Sequence, residues 1–323
     1  MGMGLYVAQR VAWALVATFV MLSLTFGLLA VTPDAQQAQF AFQQAQEGAS
    51  ADEARETYQR VTGKDGPLFD RYKEYMIGMV TGDWGWSHTR SQPAIEAVAD
   101  AYPYSLMYGI PATVLSVVAG IGIGLYSATH QYTKADYAGT FLAFFGVSIP
   151  NFWFGIMLIL LFAVHLGWFP SYYDTSHGVW TLANAKQLVL PVIVLSTAAI
   201  ASQMRYARAE SLEYVHADFV KTARAKGASE WRVIRHIFRA ASVPISTILV
   251  ADILGLLFVA SYLTEVVFQI PGLGLLSYRA ITQNDTALVL ATTLIPVFVA
   301  IVGNLVQDIA YTVLDPRIDY GDR

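Results

Sequence analysis

The chain has 323 residues, of which 55% are hydrophobic and only 14% are charged. That balance is too apolar for an ordinary soluble globule, and it indicates a polytopic membrane protein. There is no cysteine, which excludes disulfides, thiolate metal sites and a cysteine nucleophile. The net charge of −4 says little about function, because in a membrane protein the distribution of charge between the two sides of the membrane matters more than the total.

The first apolar stretch follows Arg10 and runs from Val11 to Val31. It is long enough to cross about 30 Å of hydrocarbon as a helix. A signal peptide is the alternative interpretation, but this run exceeds the usual apolar core of about 7–15 residues. No clear small-x-small cleavage site follows before Thr32. We therefore predict that residues 1–31 form a short N-terminus and a retained first transmembrane helix.

A long polar segment, residues 32–103, follows the first span. It opens with a Gln/Ala-rich stretch that is typical of a surface helix, and its acidic residues outnumber its basic ones. Long loops cross membranes largely regardless of charge, so this segment does not decide the orientation of the chain.

Five further apolar stretches predict five more spans. They lie at about residues 104–126, 138–166, 188–204, 243–263 and 288–313. Pro111 and Pro150 fall inside two of them, where kinks are expected. The predicted fold is all-α with six transmembrane helices, of which the last five form a core over residues 104–313, followed by a tail at residues 314–323.

The loop at residues 205–242 decides the orientation, because it is rich in basic residues while residues 265–287 contain only Arg279. Its basic residues are Arg205, Arg208, Lys221, Arg224, Lys226, Arg232, Arg235 and Arg239. The positive-inside rule places this loop in the cytoplasm. Both termini are then cytoplasmic, and residues 32–103 are extracytoplasmic.

The same loop predicts a helix, a break and a second helix. Asp218 to Gly227 is strongly helix-forming, the Gly227-Ala228-Ser229 step interrupts it, and Trp231 to Ala241 resumes. Small residues in the first helix and the break would let a soluble partner pack closely. They are Thr222, Ala223, Ala225, Gly227 and Ala228.

Residues 217–245, ADFVKTARAKGASEWRVIRHIFRAASVPI, resemble the cytoplasmic coupling motif of binding-protein-dependent ABC permeases, in the version typical of dipeptide/oligopeptide permeases. The Glu-Ala-Ala of the general family is Lys221-Thr222-Ala223 here, which we interpret as a subfamily mark. The resemblance covers most of the chain through motifs that are individually weak. These are Pro33-Asp34, Gly82-Asp83-Trp84-Gly85-Trp86-Ser87, Ser148-Ile149-Pro150-Asn151-Phe152-Trp153, Leu166-Gly167-Trp168-Phe169-Pro170, Glu265-Val266-Val267-Phe268, Pro271-Gly272-Leu273-Gly274, Asp285, Asn304, Asp308, Tyr311 and Asp315-Pro316-Arg317-Ile318.

The resemblance implies the fold of a type I ABC importer permease, in the subunit type with a long external loop after the first span. It implies a cell-membrane location and four kinds of partner: a second permease subunit, cytoplasmic ATPase subunits, an extracytoplasmic substrate-binding protein and membrane lipid. No nucleic-acid partner is expected. The residues that would couple to the ATPase are Lys221, Thr222, Ala223, Arg224, Ala225, Lys226, Gly227 and Ala228.

ATP and Mg are expected in the ATPase partners and not in this chain. The sequence has no G-x-x-x-x-G-K-[ST] phosphate loop, and no Gly-x-Ser-x-Gly elbow that would indicate a membrane hydrolase. We therefore predict a permease subunit that is not an enzyme and binds neither cofactor nor metal. Di- or oligopeptides are the expected substrates, with nickel, glutathione and oligosaccharides as alternatives within the same family.

Three interpretations compete with this one. The first is a proton-coupled secondary transporter that uses Asp252, in the middle of the fifth predicted span, although Asp252 could also line a translocation path or join two helices through a hydrogen bond. The second is that the basic residues of the loop do no more than set the topology and contact anionic lipid. A structural or assembly protein of the membrane would also need no catalytic residue.

Overall fold

The computed structural model describes residues 3–32, 35–46, 48–242, 245 and 262–314. The described chain forms two compact units. One consists of residues 101–275 with residues 302–314, and we call it the first unit. The other consists of residues 4–100 with residues 276–301, and we call it the second unit.

The described structure is almost entirely helical, with one short antiparallel hairpin. In chain order the elements are α1 (Met3–Val31), α2 (Ala35–Gln46), α3 (Ala51–Val61), α4 (Leu68–Thr81), β1 (Trp86–Ser87), β2 (Gln92–Pro93), α5 (Ala94–Thr129), α6 (Lys134–Ser148), α7 (Asn151–Leu158), a π-helical turn (Ile159–His165), a 3₁₀ turn (Leu182–Asn184), α8 (Ala185–Val215), α9 (Asp218–Ala225), α10 (230–242), α11 (Tyr262–Phe268), α12 (Leu273–Thr282) and α13 (Thr286–Leu314).

Among the described residues, four helices are long and apolar enough to cross a membrane, and the pair α6 and α7 makes a fifth if it is counted as one span. The four are α1, α5, α8 and α13, which match the first, second, fourth and sixth predicted spans. The fifth predicted span, residues 243–263, lies almost wholly outside the described residues. The all-α, multi-span class is confirmed, and the described helices are compatible with six spans.

Several sequence motifs also lie outside the described residues, so the structure places none of them. They are Pro33-Asp34, Pro244, Asp252 and Asp315-Pro316-Arg317-Ile318.

The third predicted span is broken rather than merely kinked. Ile149 leaves the helix with an extended backbone (φ −93°, ψ 127°), and α6 and α7 meet at 103°. The cause is Pro150, because a proline disfavours the helical region for the residue before it. Pro111, by contrast, lies within the continuous helix α5.

Helix α8 is longer than predicted. It runs to Val215, so the first part of the basic segment at residues 205–242 is helix and not loop. The apolar run ends near Met204 and therefore underestimates the length of α8, because a helix that leaves the membrane can continue with charged residues in water.

Glycines let α5 and α6 approach α8 closely within the first unit. A Cβ at Gly124 would lie 2.6 Å from the carbonyl oxygen of Met204, and one at Gly146 would lie 2.9 Å from that of Thr197. Small residues of this kind are how helices pack tightly inside membranes, where the hydrophobic effect does not drive their association.

The second unit joins the hairpin to the start of α13. The Asp285 carboxylate accepts hydrogen bonds from Ser87 Oγ (2.7 Å), from the Thr89 backbone N–H (3.0 Å) and from Thr89 Oγ1 (2.8 Å). Its other oxygen accepts from the backbone N–H of Leu288 (3.1 Å) and so caps α13. Trp84 is buried nearby against the ring of Phe298.

Candidate functional site

The predicted coupling residues form a short helix and the turn that ends it. Helix α9 spans Asp218–Ala225, the chain turns at residues 226–229, and α10 begins at residue 230. The prediction of a helix, a break and a second helix is therefore confirmed.

Helix α9 is anchored through one apolar side chain. Val220 is fully buried in a cluster with Leu125 and Ala128 at the end of α5, Val215 at the end of α8, and residues of α10. Burying a valine of this kind stabilises by about 1.5–3 kcal/mol. A displacement of α9 would therefore act on the ends of three helices at once.

Gly227 ends α9 in a Schellman motif. The Gly227 N–H donates to the carbonyl of Arg224 (2.9 Å), and the Ala228 N–H donates to that of Ala223 (3.0 Å). Gly227 has φ +73°, a left-handed conformation that glycine adopts without the cost of a Cβ. No heavy atom of the described residues lies within 4 Å of the position that a Cβ would take. Conformation rather than tight packing therefore requires this glycine.

The outward face of the segment is available to a partner. Lys221, Thr222, Arg224, Ala225, Lys226 and Gly227 are exposed, whereas Ala223 and Ala228 are half-buried. Lys221 pairs with Asp218 at 2.9 Å, and this hydrogen bond lowers the pKa of the Asp218 carboxyl.

An open groove lies between α9 and α10, with a volume of about 270 Å³. Small side chains and basic side chains share its lining, together with one aromatic ring. The lining residues are Phe219, Thr222, Ala223, Lys226, Ala228, Arg232 and His236.

Polar contacts beside this site were not found from the sequence. Arg208 Nε and Nη2 donate to the two carboxylate oxygens of Asp136, at 3.0 and 3.1 Å, and Ser127 Oγ donates to Asp136 as well. His130, which follows α5, contacts Glu230 at the start of α10 at 2.8 Å. The signal that could have revealed them is the position of Ser127, His130, Asp136 and Glu230 at or near helix ends, whereas Arg208 lies within α8. Spacing alone does not predict the pairing.

A second missed site is the pocket of Glu265 in the first unit. This side chain is fully buried, and each carboxylate oxygen accepts two hydrogen bonds. Ser105 Oγ (2.7 Å) and Tyr108 OH (3.0 Å) donate to Oε1, while the backbone N–H groups of Gly274 (2.7 Å) and Leu275 (3.1 Å) donate to Oε2.

The pocket explains the Pro271-Gly272-Leu273-Gly274 motif, which the sequence alone indicates only as a tight external turn. A Cβ at Gly272 would lie 2.5 Å from Glu265 Oε1, and one at Gly274 would lie 2.6 Å from the Cα of Tyr262. Gly272 therefore makes room for the carboxylate and Gly274 for the backbone of Tyr262, and the carboxylate meets the positive N-terminus of α12.

No cluster of three or more His, Cys, Asp or Glu residues that could hold a metal ion occurs in the described part of the chain.

A multi-span helical protein that presents an exposed short helix between two of its long helices has the architecture of a membrane transport subunit. Residues 120–320 match the family described as binding-protein-dependent transport system inner membrane component. The chain belongs to this family, in which it is a permease component and not an enzyme.

Three relatives are similar over most of their length. An oligopeptide transport system permease protein, AppB, from Bacillus subtilis is 37% identical over 82% of this chain and 85% of the relative. The oligopeptide transport system permease protein OppB from Haemophilus influenzae is 31% identical over 98% of this chain and 99% of the relative. The dipeptide transport system permease protein DppB from Bacillus subtilis is 31% identical over 98% of each chain.

These findings confirm the resemblance noted from the motifs and the type I importer permease fold. They do not favour the proton-coupled secondary transporter, because the family works as one component of a binding-protein-dependent system.

Proposed function

We propose that this chain is a membrane-spanning permease subunit of an ATP-driven, binding-protein-dependent importer of di- or oligopeptides. It forms the translocation path together with a second permease subunit, and both of its termini are cytoplasmic. Separate cytoplasmic subunits bind and hydrolyse ATP with Mg, and an extracytoplasmic protein delivers the substrate.

The observation that carries this proposal is α9, an exposed helix anchored by a single buried valine to the ends of α5, α8 and α10. In the proposed mechanism, an ATPase subunit seats the 221–228 segment in a groove of its own surface. Movement of the ATPase displaces α9, and Val220 transmits the displacement to the three longer helices. The membrane path then opens alternately to each side.

The coupling role is supported by the exposure of two small residues of α9, Thr222 and Ala225. An exposed lysine or arginine would suffice for lipid contact, but lipid contact would not require small residues followed by a glycine turn. The basic residues Arg232, Arg235 and Arg239 of α10 fit the role of setting the topology.

The peptide substrate is supported by the three relatives, each of which is named for oligopeptide or dipeptide transport. Nickel, glutathione and oligosaccharides are the alternatives that an uptake assay should include. Uptake by the reconstituted complex with its binding protein would also exclude a purely structural or assembly role.

Crosslinking tests the coupling proposal directly, because the natural chain has no cysteine and a single introduced one is unique. We expect Ala225→Cys to crosslink to the co-expressed ATPase subunit in the assembled complex. A matched control is Val61→Cys, which is also exposed but lies in the proposed extracytoplasmic segment. Failure of Ala225→Cys to crosslink in a complex that still contains its ATPase would contradict the assignment of α9.

Copurification with a bulky variant supplies the complementary measurement. Ala225→Trp should reduce recovery of the ATPase with the tagged chain while leaving membrane insertion unchanged. Gly227→Trp is less informative, because the left-handed backbone at Gly227 strains any side chain there.

Residues 32–103 are proposed to contact the substrate-binding protein. Their described part contains three helices, α2 to α4, before the hairpin. Deleting residues 36–50 should weaken binding-protein affinity, and an unchanged affinity would contradict this part of the proposal. The secondary-transporter alternative is tested with Asp252→Asn. It requires that a proton gradient drives uptake without ATP and that this substitution abolishes that uptake.

A further inference from the structure

Helix α4 contacts α1 within the second unit. The hydroxyls of Tyr72 and Ser23 are hydrogen-bonded at 2.7 Å. The ring of Phe26 lies 5.3 Å from the ring of Tyr72, in an edge-on arrangement, and 5.5 Å from the ring of Tyr75. These contacts place one face of α4 at the level of residues 23–26 of α1.

That level is inside the membrane. Ser23 lies thirteen residues after Arg10, which corresponds to about 20 Å along a helix, and eight residues before Val31, which corresponds to about 12 Å. The hydrocarbon of a bilayer is about 30 Å thick, and the uncharged part of α1 that crosses it begins just after Arg10. The Tyr72 side chain therefore reaches α1 below the membrane surface.

One flank of α4 is apolar and open. Phe69 and Val80 are 74% and 81% exposed, and they lie on one flank of the helix because they are eleven residues, about three turns, apart. The acids Asp70 and Glu74 are also exposed, and they lie further around the helix on the flank that carries Ile77, which is seven residues from Asp70. Leu24 and Leu28 of α1, on either side of Phe26 in the chain, are also exposed, at 64% and 66%.

We propose that α4 is an interfacial helix whose Phe69–Val80 flank inserts into the acyl chains of the membrane. An amphipathic helix at this boundary buries its apolar face about 5–10 Å into the lipid and keeps its charged face at the headgroups. Lys73 lies on the apolar flank and can extend its ammonium group to the headgroups, as lysines at such interfaces do.

Lipid is a better occupant than the substrate-binding protein for a geometric reason. A protein that arrives from the aqueous phase meets the end of α1 near Val31 first, whereas α4 contacts α1 at the depth of Ser23 and Phe26. Assignment to the outer leaflet rests on the proposed orientation of the chain; insertion itself rests only on α1 spanning the membrane.

The experiment uses the complete complex in proteoliposomes, with a single introduced cysteine carrying an environment-sensitive fluorophore. Phe69→Cys and Val80→Cys probe the apolar flank, and Glu74→Cys is the matched control on the opposite flank of the same helix. We expect lipids with a nitroxide near the headgroup to quench the two flank probes. Aqueous iodide should not quench them. The control probe should show the reverse.

Strong iodide quenching at both Phe69→Cys and Val80→Cys would overturn the inference. Protection of those probes from iodide only after addition of the binding protein would overturn it in favour of protein docking. If the flank probes were equally protected from iodide in lipid and in detergent, and crosslinked to the second permease, the flank would be assigned to that subunit instead. Testing Ala225→Cys crosslinking in the same preparation separates failure of this inference from failure of the proposed function.

Discussion

Arg208 holds the carboxylate of Asp136 with two hydrogen bonds, one to each oxygen, and so ties α8 to the start of α6. Ser127 near the end of α5 donates to the same carboxylate. The Asp136 side chain is only 4% exposed, and that of Arg208 is 28% exposed. Three helices therefore meet through one ion pair, within the unit that carries α9.

We predict that Asp136→Asn lowers the thermal stability of the subunit. The amide cannot accept from both nitrogens of Arg208, and hydrogen bonds to charged groups contribute about 1.5–3 kcal/mol each. Thermal unfolding of the purified complex in detergent measures the change. The control is Lys221→Ala, which breaks an exposed pair with Asp218 that should contribute little because water screens it. Equal losses in the two variants would show that the Asp136 contact is no stronger than a surface pair.

The Glu265 pocket predicts that alanine is tolerated far less at Gly272 than at Gly122, which lies outside the pocket. Gly272→Ala should destabilise the first unit, because the new methyl group would lie 2.5 Å from both Glu265 Oε1 and Ser105 Oγ. Gly122→Ala in α5 should be neutral or stabilising by up to about 1 kcal/mol, since no atom in the described part of the chain lies within 4 Å of its Cβ position and alanine favours helix. Expression and melting temperature of the two variants measure the difference. A stable Gly272→Ala variant would show that the pocket rearranges easily.

Asp285 predicts a dependence of stability on pH. Burial alone would raise the pKa of its carboxyl, but hydrogen bonds from Ser87, Thr89 and the Leu288 N–H outweigh burial and lower the pKa below its usual value. A carboxyl with a lowered folded-state pKa stabilises the protein above its unfolded pKa of about 3.9, and this contribution is lost as the pH falls through the folded-state value.

We therefore expect Asp285→Asn to reduce the melting temperature at pH 7 and the gap from the natural protein to narrow as the pH approaches 3. Ser87→Ala, which removes one of the donors, should give a smaller gap of the same kind. A gap that does not change between pH 7 and pH 3 would show that the ionised form of Asp285 contributes nothing.

Gln203 predicts a stabilising substitution. Its side chain in α8 is 4% exposed, and neither amide atom has a hydrogen-bond partner among the described residues. A buried polar group without a partner costs about 1–3 kcal/mol, so Gln203→Leu should raise the melting temperature.

Asn184 is the matched control for Gln203. It is also buried, but its amide nitrogen donates to the carbonyls of Gly178 (2.8 Å) and Val179 (2.9 Å). Asn184→Leu should therefore lower the melting temperature. A destabilising Gln203→Leu would instead indicate that the amide is satisfied in the assembled protein.

Patterns local in sequence predicted much of the fold. Runs of apolar residues indicated α1, α5, α8 and α13, because a helix must be apolar over about 20 residues to cross the bilayer. Helix propensity and a glycine predicted α9 and its end at Gly227, because both effects act within one turn of the chain. The motifs around Glu265 and Asp285 were noticed, but their roles were not.

The amino-acid sequence by itself determined the class of this protein, the four spans α1, α5, α8 and α13 and the position of the proposed coupling helix, because these depend on hydropathy and backbone preference along a continuous stretch. Only the tertiary structure decided which polar groups meet. Asp136 and Arg208 are 72 residues apart, and Ser87 and Asp285 are 198 apart. A carboxylate can be satisfied by any donor that the fold brings within hydrogen-bond distance, so its partner depends on how the helices pack and not on the residues beside it in the chain.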